Sequence, residues 1–98
     1  RRLAGLAVGL YTHHALAAAR GTLGAVRLEQ GRLDDAATHL DAAIALDAQY
    51  ALPWANRAVL AAMRGDAAAA NEAKDKAKTL GFGSKVLDAV VADKLRAK

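Results

Sequence analysis

Three features of this 98-residue chain predict an all-α fold built from repeated helical hairpins. Gly31-Arg32-Leu33-Asp34-Asp35-Ala36 and Gly65-Asp66-Ala67-Ala68-Ala69-Ala70 stand 34 residues apart, each between two helix-like stretches. Self-similarity at a fixed period of this size marks units that cannot bury their apolar faces alone and so stack on their neighbours. The apolar fraction is 54%, more than a disordered chain carries. That fraction is mostly Ala, with four aromatic residues (Tyr11, Tyr50, Trp54, Phe82), so the core must come from close helix contact between small side chains.

The elements follow in order. Residues 1–16 read as an N-terminal helix laid on the first unit, with Gly5 and Gly9 four apart permitting a close crossing. From Ala17 an apolar helical pattern runs to Gln30, Gly31 breaks it, and a second helix runs from about Leu33 to Leu46. Gly31 takes positive φ without steric cost and lets the two fold back as a hairpin. Asp34 and Asp35 fall in the first turn of the second helix, where acids suit the N-terminal dipole. From Ala51 the plan recurs: Pro53 fits an early helix position, Trp54–Arg64 the first helix, Gly65 the turn, and Ala67–Leu80 the second helix. Gly81-Phe82-Gly83 ends that unit, and Ser84 is the N-cap expected for a last helix from Lys85 to about Ala97. The chain therefore divides as one domain over 1–98: an N-terminal helix (1–16), two units (17–50 and 51–83) and a capping helix (84–98).

These residues resemble the tetratricopeptide repeat family. Leu23-Gly24, Gly31, Ala36, Leu40, Ala43-Ile44 and Leu46-Asp47 in the first unit fall where that family places its small and large packing residues. Trp54, Asn56, Ala58, Gly65-Asp66, Ala70, Ala77 and Leu80 do so in the second. Lys74 stands where the family has an aromatic residue. The resemblance covers residues 17–84 and implies a short right-handed α-solenoid. Small residues at Gly24, Ala36, Ala43, Ala58, Ala70 and Ala77 let helices approach closely, so a large side chain at Ala58 or Ala70 should cost about 1 to 3 kcal/mol through overpacking.

The family resemblance also implies a binding surface, because the first helix of each unit lines a concave groove that takes extended or helical peptides. Carried onto this chain, the groove shows Ala25, Leu28 and Glu29, then Leu52, Asn56, Val59, Ala62 and Met63, with Val86, Val90 and Asp93 from the last helix. The peptide-contacting set is Ala25, Leu28, Leu52, Asn56, Val59, Met63, Val86 and Val90. Asn56 stands where family members often place an amide that bonds ligand backbone, and Met63 is an adaptable apolar contact. The several Lys or Arg residues of a carboxylate clamp are replaced here by Ala, Gly, Thr and Leu, so an apolar or amphipathic segment is the expected ligand.

Charge and chemistry narrow the rest. Net charge is +4. Residues 1–27 carry four Arg and no acids, residues 28–50 one Arg and five acids, and residues 71–98 seven bases and four acids. Basic ends and an acidic middle suit self-assembly as a structural scaffold. A holding chaperone for a secreted or membrane-assembling subunit is a further reading open to this family. In the basic C-terminal region Glu72, Asp75, Asp88 and Asp93 interleave with the bases, where nucleic-acid binding wants a basic stripe with stacking aromatics or a recognisable reading helix, which argues against nucleic acid. His13 and His14 are adjacent and His39 lies in another helix, so no ligand-spaced His pair is offered to a metal. The sequence carries no nucleophile-base pair, phosphate loop or cofactor motif, and the expectation is a non-enzyme that needs no cofactor and binds a protein or peptide. His13, His14 and Arg20 interrupt the one long apolar stretch, so no membrane insertion is expected. The opening Arg1-Arg2 and apolar run, followed by Ala15-Leu16-Ala17, has the outline of a secretory leader. Cleavage there would remove the lead-in to the first unit. The absence of Cys fits cytosol and periplasm alike, with the cytoplasm preferred, and the Ala-rich composition suits a bacterial source.

Overall fold

A computed structural model describes the backbone of residues 2–98 and the side chains of residues 13–98. Among the described residues the chain is all helical: α1 (Arg2–Glu29), α2 (Leu33–Leu46), α3 (Ala51–Met63), α4 (Ala67–Thr79) and α5 (Lys85–Arg96). The expected break near residue 16 is absent. No Gly, Pro or capping residue stands between Ala15 and Ala19, and α1 runs through as one helix of 28 residues, about 42 Å at 1.5 Å per residue. The crossing at Gly5 and Gly9 lies outside the described side chains.

Three helices end the same way, for one physical reason. Gly31, Gly65 and Gly81 have φ of 74°, 78° and 99°, the left-handed conformation that lets the chain fold back over the last carbonyls. Arg32 N–H donates to Arg27 C=O and Gly31 N–H to Leu28 C=O; Asp66 donates to Ala61 and Gly65 to Ala62; Phe82 donates to Ala77 and Gly81 to Lys78. These are Schellman motifs, which satisfy carbonyls the helix leaves unpaired. Helix starts are less uniform. Asp66 and Ser84 each accept a bond from the backbone N–H three residues on (Ala69 and Leu87, both 3.0 Å), whereas Arg32 makes no side-chain cap. Asp34 and Asp35 hold the first turn of α2 instead.

The helices form two layers. In one, α3 lies between α1 and α5; in the other, α2 packs on α1 and α3, and α4 on α3 and α5. Packing rests on small residues: Ala17, Ala36, Ala43, Ala58, Ala62, Ala70 and Ala77 are fully buried. Leu28, Ala36, Leu40 and Leu60 make one cluster, with Leu33 and Met63 against it. A second joins α3, α4 and α5 through Ala55, Ala58, Ala62, Ala70, Ala73, Ala77, Leu87 and Val91, and Phe82 and Leu95 plug its end. Val59 touches both. Molecular dimensions are 54 × 26 × 18 Å, an elongated body set by the long α1.

Candidate functional site

Leu52, Asn56, Val59 and Met63 recur on α3 at spacings of four, three and four residues, which aligns them along one side of the helix. Val86 and Val90 do the same on α5. Because α1, α3 and α5 are successive members of one layer, the predicted residues occupy three neighbouring helices. Leu52 is 42% exposed and Val86 72% exposed, large values for apolar side chains. Ala25, Asn56, Val59, Met63 and Val90 are half-buried.

Two residues expected in the groove are core instead. Leu28 is only 6% exposed and packs with Ala36, Leu40 and Leu60, and Ala62 is fully buried in the α3–α4–α5 cluster. Both sit on the flank where their helix meets its neighbour, so they support the surface without being presented on it. Val59 and Met63 also contribute to packing, as floor residues with one accessible side. No charged group belongs to the stripe formed by Leu52, Asn56, Val59, Met63, Val86 and Val90. A surface of this composition can offer contact area and shape, with one amide for hydrogen bonding.

A different feature was not anticipated. A cleft of about 420 Å³ opens between α3 and α4, lined by Trp54, Arg57, Ala61, Arg64, Asp66 and Glu72 among others, and contains none of the eight predicted residues. Trp54, Arg57, Ala61 and Arg64 follow each other at three- and four-residue steps, a stripe legible in the sequence once Trp54 is not assigned wholly to the core. Its cations are already engaged. Arg57 pairs with Asp41, and Arg64 with Asp34 at 2.8 Å, both across to α2. Lys76 lies over the Trp54 ring, 5.7 Å from its centroid, and the indole N–H donates to Ala48 C=O at 3.0 Å. The cleft's cations therefore offer little uncompensated positive charge to a ligand, while Asp66 and Glu72 leave its rim acidic.

The histidines with described contacts are held apart. His14 Nδ1 lies 3.3 Å from Asp47 and its ring meets Tyr50 edge-on. Arg20 donates to His39 Nδ1 at 3.0 Å, which makes that nitrogen the acceptor, since a guanidinium has only donors. Among the described residues no three His, Cys, Asp or Glu converge as metal ligands, and no helix is long and apolar enough to cross a membrane.

The chain matches no known family profile, no curated protein and no solved structure.

Proposed function

We propose that this chain is a tetratricopeptide-like module, a short right-handed α-solenoid, that acts without catalysis by binding an apolar or amphipathic peptide along the α1–α3–α5 layer. The observation that carries the reading is the exposure of Leu52 and Val86 on adjacent helices beside the half-buried Asn56, Val59, Met63 and Val90. Exposed large apolar residues that cluster with neighbours of the same kind mark interaction surfaces more often than isolated ones do. Rigid hairpins held by Gly31 and Gly65 keep such a surface formed before binding, so the ordering cost falls mainly on the peptide. Asn56 is assigned to the ligand backbone.

The test is a displayed library of helical peptides selected against the wild-type chain. Selected sequences should carry apolar residues three and four apart. Their binding should weaken at least tenfold in Leu52→Lys/Val86→Glu, two exposed positions whose change leaves the thermal midpoint intact. Raising salt from about 50 to 200 mM should leave affinity nearly unchanged, unlike phosphate binding, which collapses over that range. Peptides that bind the variant as well as the wild type would refute the assignment.

A further inference from the structure

The two outer edges of the layered array differ. On α5, Leu87 and Val91 turn inward and Lys85, Ala89, Ala92, Asp93 and Arg96 turn outward with Val86 at the first turn, an outer face that is largely small and charged, as on a terminal cap. On α1, Leu16 (49% exposed), Ala19 and Val26 (41% exposed) turn outward with Ala15 and Thr22, and the half-buried Leu23 continues the apolar stripe. The 34-residue period says what this second face is. One period on, the positions of Leu16, Ala19, Leu23 and Val26 become Tyr50, Pro53, Arg57 and Leu60, of which Pro53 and Leu60 are buried where α3 meets the first hairpin. The outer face of α1 thus repeats the form of an internal unit-to-unit contact, and among the described residues its Leu16 and Val26 stay exposed.

We infer that a second copy of this chain covers the outer face of α1, giving a two-fold dimer. Head-to-tail stacking would set this apolar face against the α5 edge, which carries Lys85, Asp88, Asp93 and Arg96, and so would cover charged groups with apolar side chains that offer them no partner. A two-fold arrangement buries both apolar faces and leaves both polar caps outward. With the α1 helices antiparallel and the axis level with Gly21, Leu16 meets Val26 of the partner subunit and Ala19 meets Leu23 of the partner subunit, large against large at the ends and small against large near the axis. The charges agree with this register. The His14–Asp47 contact sets Asp47 level with residue 14, and the axis brings that level opposite residue 28. Arg27, on the flank nearer α2 like Asp47, bonds to Gln30 and makes no ion pair among the described residues, and in the dimer it reaches Asp47 of the partner subunit.

Sedimentation equilibrium over a wide concentration range tests the inference. The wild-type mass should rise toward twice the 10.2 kDa of the chain. Leu16→Glu/Val26→Glu should weaken association at least tenfold with an unchanged circular dichroism spectrum, and Arg27→Glu should weaken it most at low salt. The chain has no Cys, so Ala19→Cys/Leu23→Cys should form a disulfide-linked dimer on oxidation, whereas Leu16→Cys alone, far from its own copy, should not. Leu52→Lys/Val86→Glu, on another face, should dimerise as the wild type does. A mass that stays at one chain, a dimer indifferent to Leu16→Glu/Val26→Glu, or a cross-link through Leu16→Cys in place of the pair would each overturn it.

Discussion

Gly21 and Gly24 stand three residues apart in α1, and the same substitution should act on them with opposite sign. A Cβ on Gly21 would lie 3.4 Å from the Pro53 ring, ordinary contact, whereas one on Gly24 would lie 2.7 Å from Leu40 Cγ and Cδ2. Leu40 is fully buried and has no room to withdraw. Ala is preferred over Gly in a helix by roughly 1 kcal/mol, so Gly21→Ala should stabilise by about 0.5 to 1 kcal/mol. At Gly24 the same gain is opposed by overpacking of about 1 to 3 kcal/mol, and the net effect should be a loss. Urea unfolding of the two variants decides the matter, and equal shifts of one sign would contradict the packing described here. The second unit solves the same steric problem with Ala58 on the first helix and Lys74 on the second. Lys74 keeps its stem inward, 26% exposed, and its Nζ 3.7 Å from Asp88. Leu40 and Lys74 thus fill equivalent positions with different chemistry, one by an apolar side chain and one by an aliphatic stem.

At the scale of elements, the repeat makes one helix start a control for the other. Asp66 caps α4, while Arg32 occupies the equivalent place before α2 and caps nothing. Arg32→Asn should therefore stabilise by about 0.5 to 1 kcal/mol, and Asp66→Ala should cost about 1 kcal/mol; paired thermal melts read both. The helix ends were legible in the sequence because a Schellman turn demands positive φ, which only Gly supplies cheaply at residues 31, 65 and 81. The start of the first unit was not. A 34-residue period identifies equivalent positions but does not interrupt a helix, so α1 runs past residue 17 without a break. The proposed binding stripe was legible only as a spacing, that of Leu52, Asn56, Val59 and Met63 along one side of α3. The burial of Leu28 was hidden, because it depends on how closely α1 and α3 cross, and that is set by Leu60 on the other helix. The cleft at Arg57 and Arg64 was hidden for a related reason: its walls are ion pairs between residues 16 and 30 positions apart.

Across the whole molecule, α3 is the element on which both cores depend. It supplies Leu60 to the cluster of the first hairpin and Ala55, Ala58 and Ala62 to that of the second, and its Val59 touches both. The other helices are less central. In a stacked array stability is nearly a sum of unit and nearest-neighbour terms, so opening proceeds inward from the ends. The amides of α5 can open by losing the contacts of Leu87, Val91 and Leu95 alone, and those of α2 by losing the first cluster alone. Opening α3 destroys both clusters at once and is equivalent to global unfolding. Native-state hydrogen exchange should then place the slowest amides in the Ala55–Ala62 segment, with exchange there governed by the global free energy of unfolding. Amides in α5 should exchange at least tenfold faster, a difference of 1.4 kcal/mol or more. Ala70→Leu, which overpacks only the second cluster, should speed exchange in α3, α4 and α5 while leaving local openings of α2 little changed. If α5 instead proved as protected as α3, the five helices would behave as one indivisible core, and the nearest-neighbour reading of this fold would have to be given up.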